Sequence, residues 1–354
     1  MTGAERLLAA CRREPVDATP AWFMRQGGGS LPGYLALRER HSVIDIAKTP
    51  ELCAQVTLEA ADRLGTDGAV LFADIMLPVE AMGVELELTA NGPVIASPVR
   101  SAEDVRRLRR VDTETDLGFV LDAIGRVRAA IGQRAAVIGL AGGPFTIAAY
   151  LVEGGPSRDH LGAKRLLFGD PLLWSALLDR IADTTVAYVK AQVAAGAQVV
   201  QLFDSWAGAL APADYDRAVA PWTARILAAV HEAGVPAIHF AAAGSALIER
   251  LAAGANVVGI DSAQSLRAAR DRLPATGVQG NLDPARLAAG WRAIDEGARR
   301  VIAEAGDRPG HIFNVGHAVP RDTDPRLLED LTRLVHDITA GRSATQEPAV
   351  EAVG

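Results

Sequence analysis

Residues 172–204, LLWSALLDRIADTTVAYVKAQVAAGAQVVQLFD, contain the repeating unit from which the fold can be predicted. Residues 172–197 are rich in alanine and leucine at helical spacing, and Gly196 lies where a helix is expected to end. Residues 198–204 form a short apolar run, continuous rather than alternating, which is typical of a strand buried on both faces of a parallel sheet. A helix followed by such a strand indicates an α/β fold.

Seven other apolar runs of strand length occur along the chain, with helical stretches between them. They are AWFM (21–24), AVLFADI (69–75), AVIGLAG (136–142), AIHFAA (237–242), NVVGID (256–261), TGVQGNL (276–282) and HIFNVG (311–316). Eight strands alternating with helices predict a (β/α)₈ TIM barrel. An open doubly wound sheet is the alternative, but RQGGGSLPGY (25–34) does not match the Gly-x-Gly-x-x-Gly spacing of its phosphate-binding turn.

One stretch departs from this alternation. GVELELTANGPVIASPV (83–99) alternates apolar and polar residues around an Asn-Gly pair, which predicts a short β-hairpin inserted after the second strand. We expect one barrel domain over residues 1–340 and a disordered tail over the polar residues 341–354.

The composition is typical of a chain that buries a large core. Of 354 residues, 49% are hydrophobic and 22% are charged, and the formal net charge of −7 argues against a nucleic-acid partner. The densest basic run, RRLRR (106–110), follows SAED and is typical of a solvated helix face. No apolar run approaches the ~18 residues of a membrane span, and the N-terminus lacks the apolar region of a secretion signal. We therefore expect no membrane partner. Because Cys11 and Cys53 are too few for a metal site or a disulfide framework, we also expect a cytoplasmic protein.

Polar or small residues follow the predicted strands, at the end where barrel enzymes have their active sites. These residues are Arg25, Gln26, Asp74, Gly142, Gly143, Asp204, Ser205, Gly244, Ser245, Asp261, Ser262, Asn281, Asp283, Asn314 and His317. The carboxyl ends of the eight strands are expected to meet at one opening of the barrel, here called the mouth, which is therefore the predicted active site.

Several of these residues have structural alternatives. Asp74 lies within the apolar run LFADIML, where burial of an unpaired carboxylate is costly, so it is held either by a structural cation or for a ligand. Arg25 has an ion-pair alternative, and Asp204 with Ser205 fits either a cap of the following helix or a ligand contact. Three further residues are interpreted as core or packing residues: Trp206, His239 and His311.

Six segments resemble the motifs of the uroporphyrinogen decarboxylases of haem biosynthesis, in that family's order, over about residues 15–335. They are PAWFMRQ with SLPGY, LFADIMLPVEAMG, GGPFTIAAYLVEGGPS, QLFDSWAGALAP, GVQGNLDP and GHIFNVGHAVP. The resemblance implies a single (β/α)₈ barrel and a homodimer in which the two clefts face each other. It also implies decarboxylation of the four acetate side chains of uroporphyrinogen III to coproporphyrinogen III, without a metal or other cofactor.

The implied chemistry sets requirements on the site. An acetate carboxylate leaves only if its electrons have an acceptor, and protonation of the adjacent pyrrole carbon produces a cationic ring that serves as one. The enzyme therefore needs an acid, an anion near the cationic ring, and donors around a carboxylate-rich substrate.

The resemblance assigns these requirements to particular residues. Asp74 is expected to accept hydrogen bonds from the pyrrole N–H groups and to stabilise the cationic intermediate, and Arg25 to hold a substrate carboxylate or serve the proton transfer. Asp74 and Arg25 are thus the predicted catalytic pair. The implied substrate-binding set is Arg25, Gln26, Gly27, Gly28, Gly29, Asp74, Tyr150, Phe203, Ser205 and His317.

The loop RQGGGS (25–30) departs from the family's usual Arg-Gln-Ala-Gly-Arg at Gly27 and Gly29. Gly29 stands where a second arginine is expected, and loss of a charged partner typically costs about 2–5 kcal/mol. A phosphate cradle is not expected, because Leu-Pro rather than a helix N-terminus follows the glycines and no lysine is supplied. We interpret Gly29 as a void left by the missing side chain.

Four functional hypotheses follow. The protein is a uroporphyrinogen decarboxylase that compensates for the missing arginine elsewhere, or a paralogous decarboxylase for a smaller or less anionic pyrrole or indole carboxylate. Methyl transfer at a zinc site with a His-x-Cys motif, as in superfamily relatives, is disfavoured because the matching run is His239, Phe240, Ala241. Binding of a porphyrinogen without turnover is the fourth hypothesis.

Overall fold

A parallel sheet and a separate hairpin contain the strands of the protein. The computed structural model describes residues 1–24, 29–89 and 92–341. The strands are β1 (Gly68–Val70), β2 (Leu86–Thr89), β3 (Gly92–Ile95), β4 (Ala136–Gly142), β5 (Val199–Phe203), β6 (Ala237–Phe240), β7 (Val257–Gly259), β8 (Gly277–Gln279) and β9 (His311–Ile312). Seven of them form a parallel sheet in the order β1-β4-β5-β6-β7-β8-β9.

The helices alternate with these strands, as expected for a barrel. They are α1 (Gly3–Cys11), α2 (Pro32–Arg38), α3 (Val43–Lys48), α4 (Pro50–Leu64), α5 (Leu77–Ala81), α6 (Ala102–Arg107), α7 (Thr113–Asp116), α8 (Gly118–Ile131), α9 (Pro144–Glu153), α10 (Leu161–Gly169), α11 (Pro171–Ala195), α12 (Pro212–Ala218), α13 (Ala220–Glu232), α14 (Ile248–Ala252), α15 (Leu266–Arg272), α16 (Ala285–Ala289), α17 (Trp291–Ala305) and α18 (Pro325–Thr339). Among them, none in the described parts of the chain is both long and apolar enough to cross a membrane.

Helix α11 and strand β5 form the predicted helix–strand unit. The Asp170 carboxylate accepts a hydrogen bond from the Leu173 N–H at 3.0 Å and so caps the start of α11, and Gly196 ends the helix with a φ of 121°. The first four residues of β5 are buried, in agreement with the continuous apolar run. This unit of the predicted fold is confirmed.

The segment at Ala21 joins the two edges of the seven-stranded sheet. The Ala21 carbonyl accepts a hydrogen bond from the Asp67 N–H beside β1, at 2.8 Å, and Ala21 forms a parallel bridge with Phe313 beside β9. The predicted strand at 21–24 is therefore reduced to a single bridge, but it occupies the expected place between the first and last strands. With this closure, the predicted TIM-barrel type of fold is confirmed.

The predicted β-hairpin is also confirmed. Strands β2 and β3 are antiparallel, and their register pairs Thr89 with Gly92. This register leaves positions 90 and 91 between the strands, and both lie outside the described residues, as does 342–354 of the predicted tail.

The barrel interior contains a polar chain as well as an apolar core. Helix α1 packs on β1, β4 and β9, and its Leu7 belongs to the same buried cluster as Trp22 and Ile138. The Trp22 indole N–H donates to the Gln279 Oε1 at 2.8 Å, and the Gln279 amide donates to the Gln201 Oε1 at 3.0 Å. These bonds connect the buried Trp22 to polar side chains on β8 and β5.

Candidate active site

The predicted site residues follow strands whose carboxyl ends share one edge of the parallel sheet. Asp74 follows β1, Tyr150 lies on α9 after β4, Ser205 follows β5, and His317 follows β9. Contacts link neighbouring strand ends: a Cβ at Gly142 would lie 3.3 Å from the Ile75 Cβ, and one at Gly143 would lie 2.3 Å from the Asp204 Cβ. The part of the mouth from β1 to β5 is therefore tightly packed.

Asp74 lies in a loop rather than in a strand. The predicted strand at 69–75 is wrong from residue 71 onward, because β1 ends at Val70 and α5 begins at Leu77. The Asp74 Oδ1 accepts a hydrogen bond from the Met76 N–H at 2.8 Å, which starts the turn into the helix. Asp74 is half-buried, so its carboxylate is held on a turn at the carboxyl side of β1.

Three aromatic rings form a stack beside the end of β5, here called the ring stack. The Tyr150 and Trp206 ring centroids are 4.2 Å apart at an interplanar angle of 39°, and the His160 ring lies 4.7 Å from Trp206. Burial lowers the pKa of His160, which favours its neutral form in the stack. Trp206 therefore packs against the predicted site residue Tyr150.

Asp204 caps a helix that precedes it in the sequence. Its Oδ1 accepts hydrogen bonds from both the backbone N–H and the hydroxyl of Thr146, each at 2.8 Å. Thr146 lies in the first turn of α9, so the predicted cap of the following helix is wrong, and the carboxylate caps the helix that carries Tyr150 instead. Burial raises the pKa of Asp204 to about 6, against the lowering effect of the Thr146 hydrogen bonds.

A second set of rings connects the ends of three strands. Phe203 at the end of β5 contacts Phe240 at the end of β6, with centroids 6.3 Å apart, and Phe240 contacts His317 at 6.4 Å. Phe203 is half-buried and His317 is exposed, whereas Phe240 is buried. The structure thus connects two predicted site residues through Phe240, which the sequence analysis did not identify.

The glycine loop is described at its two ends. Arg25, Gln26, Gly27 and Gly28 lie outside the described residues, so the predictions for them stay predictions. Before the loop, the Met24 N–H donates to the Asn314 Oδ1 at 3.0 Å, and the Met24 carbonyl accepts from the Val319 N–H at 3.1 Å. The loop therefore starts from a residue that is anchored to the segment carrying His317.

Gly29 has a backbone conformation that favours glycine. Its φ is 111°, and a Cβ built there would lie 3.0 Å from the Arg321 carbonyl oxygen. The interpretation of Gly29 as a mere void is therefore wrong, since the position is constrained by the neighbouring backbone. The expectation that no helix follows the glycines is also wrong: α2 begins at Pro32, which fits the first turn of a helix.

Other polar residues at the strand ends serve the loops. The Asp261 Oδ1 accepts from the Ala263 N–H at 2.9 Å, and the Asn281 amide donates to the Asp261 carbonyl at 2.9 Å. His311 is buried with Nε2 2.8 Å from the Gly280 carbonyl oxygen, and His239 is buried with Nδ1 3.0 Å from that of Leu251, as expected of core histidines. Burial lowers the pKa of both imidazoles to about 4.

Sequence reasoning missed the contribution of Thr146, His160 and Phe240 to the site. Thr146 and Phe240 lie within or next to apolar runs that were predicted to be strands. Their places near the strand ends could therefore be predicted from the sequence, but the residues that they contact could not. His160 lies on a turn with a φ of 52°, and its ring reaches Trp206 only through the fold. No spacing signal in the sequence connects residues 150, 160 and 206.

Comparisons with known proteins agree with this architecture. The family model described as Uroporphyrinogen decarboxylase (URO-D) matches residues 2–338. A protein named uroporphyrinogen decarboxylase from Streptomyces griseus subsp. griseus is 49% identical over 336 residues, which cover 94% of this chain and 92% of that protein. One of the same name from Syntrophotalea carbinolica is 46% identical over 332 residues, covering 93% of this chain and 96% of that protein.

A solved structure supports the fold alone. A methyltransferase from Methanosarcina mazei superposes with a TM-score of 0.76 over 96% of this chain and 99% of that chain, at 20% sequence identity. At that identity the likeness concerns the barrel and not the chemistry.

The family model and the two decarboxylase relatives span nearly the whole chain, and we conclude that the chain belongs to the uroporphyrinogen decarboxylase family.

Proposed function

We propose that this protein removes carbon dioxide from the acetate side chains of uroporphyrinogen III and yields coproporphyrinogen III, in porphyrin and haem biosynthesis. The observation that carries the proposal is the family match over residues 2–338, with the motif residues Asp74, Tyr150, Ser205 and His317 following strands of one parallel sheet at its carboxyl edge. Relatives named uroporphyrinogen decarboxylase at 42–49% identity favour this substrate over a smaller pyrrole or indole carboxylate.

Each decarboxylation replaces one acetate group by a methyl group. A proton adds to the pyrrole carbon next to the side chain, the bond between the methylene and the carboxylate breaks, and its electron pair moves into the cationic ring. A proton then adds to the exocyclic carbon, and the first proton leaves the ring carbon. One carboxylate and one proton are thus converted into carbon dioxide and a methyl group, and no oxidant or reductant is needed.

We assign Asp74 to the cationic intermediate. The carboxylate is half-buried and its Oδ1 is oriented by the Met76 N–H, so it is presented on a fixed turn. A preorganised anion next to a developing positive charge stabilises the transition state more than the neutral ground state. In this proposal Arg25 serves the proton transfer or holds the carboxylate of the reacting acetate.

The remaining contacts recognise the ring and its acidic side chains. Tyr150 is oriented by stacking on Trp206, and Phe203 presents an apolar ring next to the polar Ser205. His317 is exposed at the end of the row Phe203, Phe240, His317. We propose that Tyr150, Ser205 and His317 contact the substrate polar groups and that Phe203 lies against its apolar face.

Arg321 is a candidate replacement for the arginine that the family resemblance implies at position 29. It is exposed, and its carbonyl oxygen and Cβ would lie 3.0 and 3.4 Å from a Cβ at Gly29. A guanidinium on this neighbouring segment is a source of positive charge for a substrate with several carboxylates. It favours the hypothesis of a uroporphyrinogen decarboxylase that compensates for the missing arginine.

An anaerobic assay tests the proposed function. The full-length protein, dialysed against a metal chelator, is incubated with uroporphyrinogen III, and the products are oxidised and separated by chromatography. We expect coproporphyrin and partly decarboxylated porphyrins, and no loss of rate after dialysis. Binding without loss of carbon dioxide would contradict the proposal in favour of a binding protein, and the absence of binding would favour a paralogous decarboxylase.

We also propose that the protein forms a homodimer in the cytoplasm. Helix α10 and the start of α11 expose the large apolar residues Leu161, Phe168 and Leu172, which are 66%, 53% and 85% exposed. A cluster of exposed apolar side chains is typical of a surface covered by another subunit, and the family resemblance implies a second copy of this chain.

Sedimentation of the purified protein tests this association. We expect Phe168→Lys with Leu172→Lys to convert a dimer into a monomer, because the two ammonium groups would be buried without partners in the interface. Leu35→Lys, at a residue that is 48% exposed on α2, is the matched control and should leave the dimer intact. A dimer that survives the double substitution would exclude this surface.

A further inference from the structure

The Asp204 carboxyl group is buried beside the candidate site but does not face the solvent at the mouth. Its residue is 0% exposed, and the atoms around it come from several elements. The Asp204 N–H donates to the Phe240 carbonyl on β6 at 2.9 Å, and the Oδ1 accepts the two hydrogen bonds from Thr146 on α9. Asp204 therefore connects the ends of β5 and β6 to the first turn of α9.

A second hydrogen bond extends this connection to the ring stack. The Thr146 Oγ1, which donates to Asp204, also accepts a hydrogen bond from the backbone N–H of Trp206 at 3.0 Å. Trp206 in turn stacks on Tyr150 at 4.2 Å, and Tyr150 is one turn further along α9 than Thr146. The hydroxyl of Thr146 thus links the Asp204 carboxyl group to the backbone of Trp206, the residue whose ring stacks on Tyr150.

The packing around Asp204 leaves little freedom for another arrangement. A Cβ at Gly143 would lie 2.3 Å from the Asp204 Cβ, so only glycine allows this approach of α9 to β5. The Asp204 Oδ2 is buried and has no hydrogen-bond partner among the described residues. The Oδ1 therefore accepts the hydrogen bonds from Thr146, whereas burial of the Oδ2 without such a bond makes ionisation of the carboxyl group costly.

From these contacts we propose that Asp204 is a positioning residue of the tetrapyrrole site: through Thr146 it fixes Tyr150 and Trp206 in the orientation that receives the substrate. Asp204 itself touches no substrate in this arrangement. The identity of the substrate rests on the proposed function, whereas the coupling from Asp204 to the rings rests on the contacts above.

The position of Asp204 also makes the protein's stability depend on pH. The titratable group that interacts with it is Tyr215 on α12, whose pKa is raised by burial with a contribution from the Asp204 charge. Burial raises the pKa of Asp204 from 3.8 to about 6 in the folded state. Between pH 4 and 6 the folded protein therefore holds a proton that the unfolded chain has lost, so the free energy of unfolding falls as the pH rises through this range. The stabilisation is complete below pH 4, where both states are protonated, and is lost above about pH 6.

Four variants of the full chain test the proposal. Asp204→Ala and Thr146→Val remove the hydrogen bonds that link Asp204 through Thr146 to Trp206. Asp204→Asn keeps an oxygen that can accept from Thr146, and Thr146→Ser keeps the hydroxyl. With uroporphyrinogen III, we expect Asp204→Ala and Thr146→Val to raise KM about tenfold with a smaller change in kcat, because substrate binding is lost more than the chemistry. The two conservative variants should restore KM toward that of the wild type.

Thr332→Val is the matched control for loss of a buried threonine hydroxyl. Its Oγ1 donates to the Leu328 carbonyl within α18, away from the candidate site, so KM should be unchanged. Thermal unfolding between pH 4 and 8 gives an independent reading. The difference in Tm between Asp204→Asn and the wild type should rise by about 5 °C from pH 4 to 6 and stay constant above pH 7, because asparagine does not titrate there.

The outcomes separate this inference from the proposed function. A wild-type protein that decarboxylates uroporphyrinogen III, with KM unchanged in Asp204→Ala and Thr146→Val, would overturn the inference alone. If the wild type shows no turnover, near-ultraviolet circular dichroism decides: we expect the aromatic band to weaken in Asp204→Ala and Thr146→Val and to be retained in Asp204→Asn and Thr146→Ser. Equal spectra in all four variants would overturn the inference.

Discussion

We expect Asp74→Asn to lower kcat for uroporphyrinogen III by roughly 10³-fold. An anion about 4 Å from a positive charge contributes about 4 kcal/mol at an effective dielectric constant of 20, and the neutral amide removes this contribution. A loss of about 4 kcal/mol in the transition state corresponds to roughly 10³ in rate. The amide Oδ1 can still accept the Met76 N–H, so the turn that presents the side chain should be retained.

The measurement is single-turnover decarboxylation under anaerobic conditions, with Asp122→Asn as the control. Asp122 is an exposed carboxylate on α8 whose partner is Arg126, so its replacement should leave kcat unchanged. Thermal unfolding establishes that Asp74→Asn is folded. A kcat within threefold of the wild type would remove Asp74 from the chemistry, and a loss confined to KM would make it a binding residue.

We expect the second largest effect at Gly29, and in the direction of lost activity. Gly29→Ala places a Cβ 3.0 Å from the Arg321 carbonyl oxygen on a backbone with φ of 111°, which costs about 1–3 kcal/mol. Gly29→Arg introduces the same strain, so restoring the arginine expected from the family should not by itself restore a contact. Both variants should lower kcat/KM by about tenfold or more.

Arg321→Gln tests where the positive charge comes from. If Arg321 replaces the missing arginine, this variant should raise KM about tenfold with little change in kcat, since a charged contact to a carboxylate is lost. Arg106→Gln is the control, because Arg106 is an exposed guanidinium that pairs with Glu103 on α6. A gain of activity in Gly29→Arg would contradict this account and support a void at Gly29.

The strands could be predicted because their burial appears in the sequence as continuous apolar runs. Runs such as 136–142 matched their strand, whereas the run 69–75 extended beyond β1, which ends at Val70. Apolar residues continue into the loop there because Leu71 belongs to a buried cluster and Phe72 and Ala73 pack against it. Apolarity reports burial, and burial does not distinguish a strand from a buried loop.

The residues that begin and end the helices depend on local backbone preferences, and the sequence analysis predicted only some of these helix ends. Gly196 was recognised as a helix end, but Pro32 was taken as an obstacle to a helix, although proline fits a first turn. The residues of the hairpin turn at 90 and 91 and most of the glycine loop lie outside the described part of the chain, so their predictions stand as before.

The site was predicted as a set of residues but not as a set of contacts. The family match confirms the prediction of the family and of decarboxylase chemistry. The partner of Asp204 lies 58 residues earlier in the sequence, and the ring stack joins residues from three separate segments. Such pairs depend on how parallel strands are placed side by side, which no local pattern specifies.

The closure of the barrel at Ala21 has a consequence for synthesis on the ribosome. The residue before the glycine loop, Met24, is held by Asn314, 290 positions later in the chain. The segment around Met24 is therefore synthesised long before the segment around Asn314, and their contact cannot form until both are present. Contacts between residues so distant in sequence form slowly. A nascent chain that stops before β9 lacks the hydrogen bond between Met24 and Asn314 that anchors the glycine loop, so a truncated product should lack a complete candidate site.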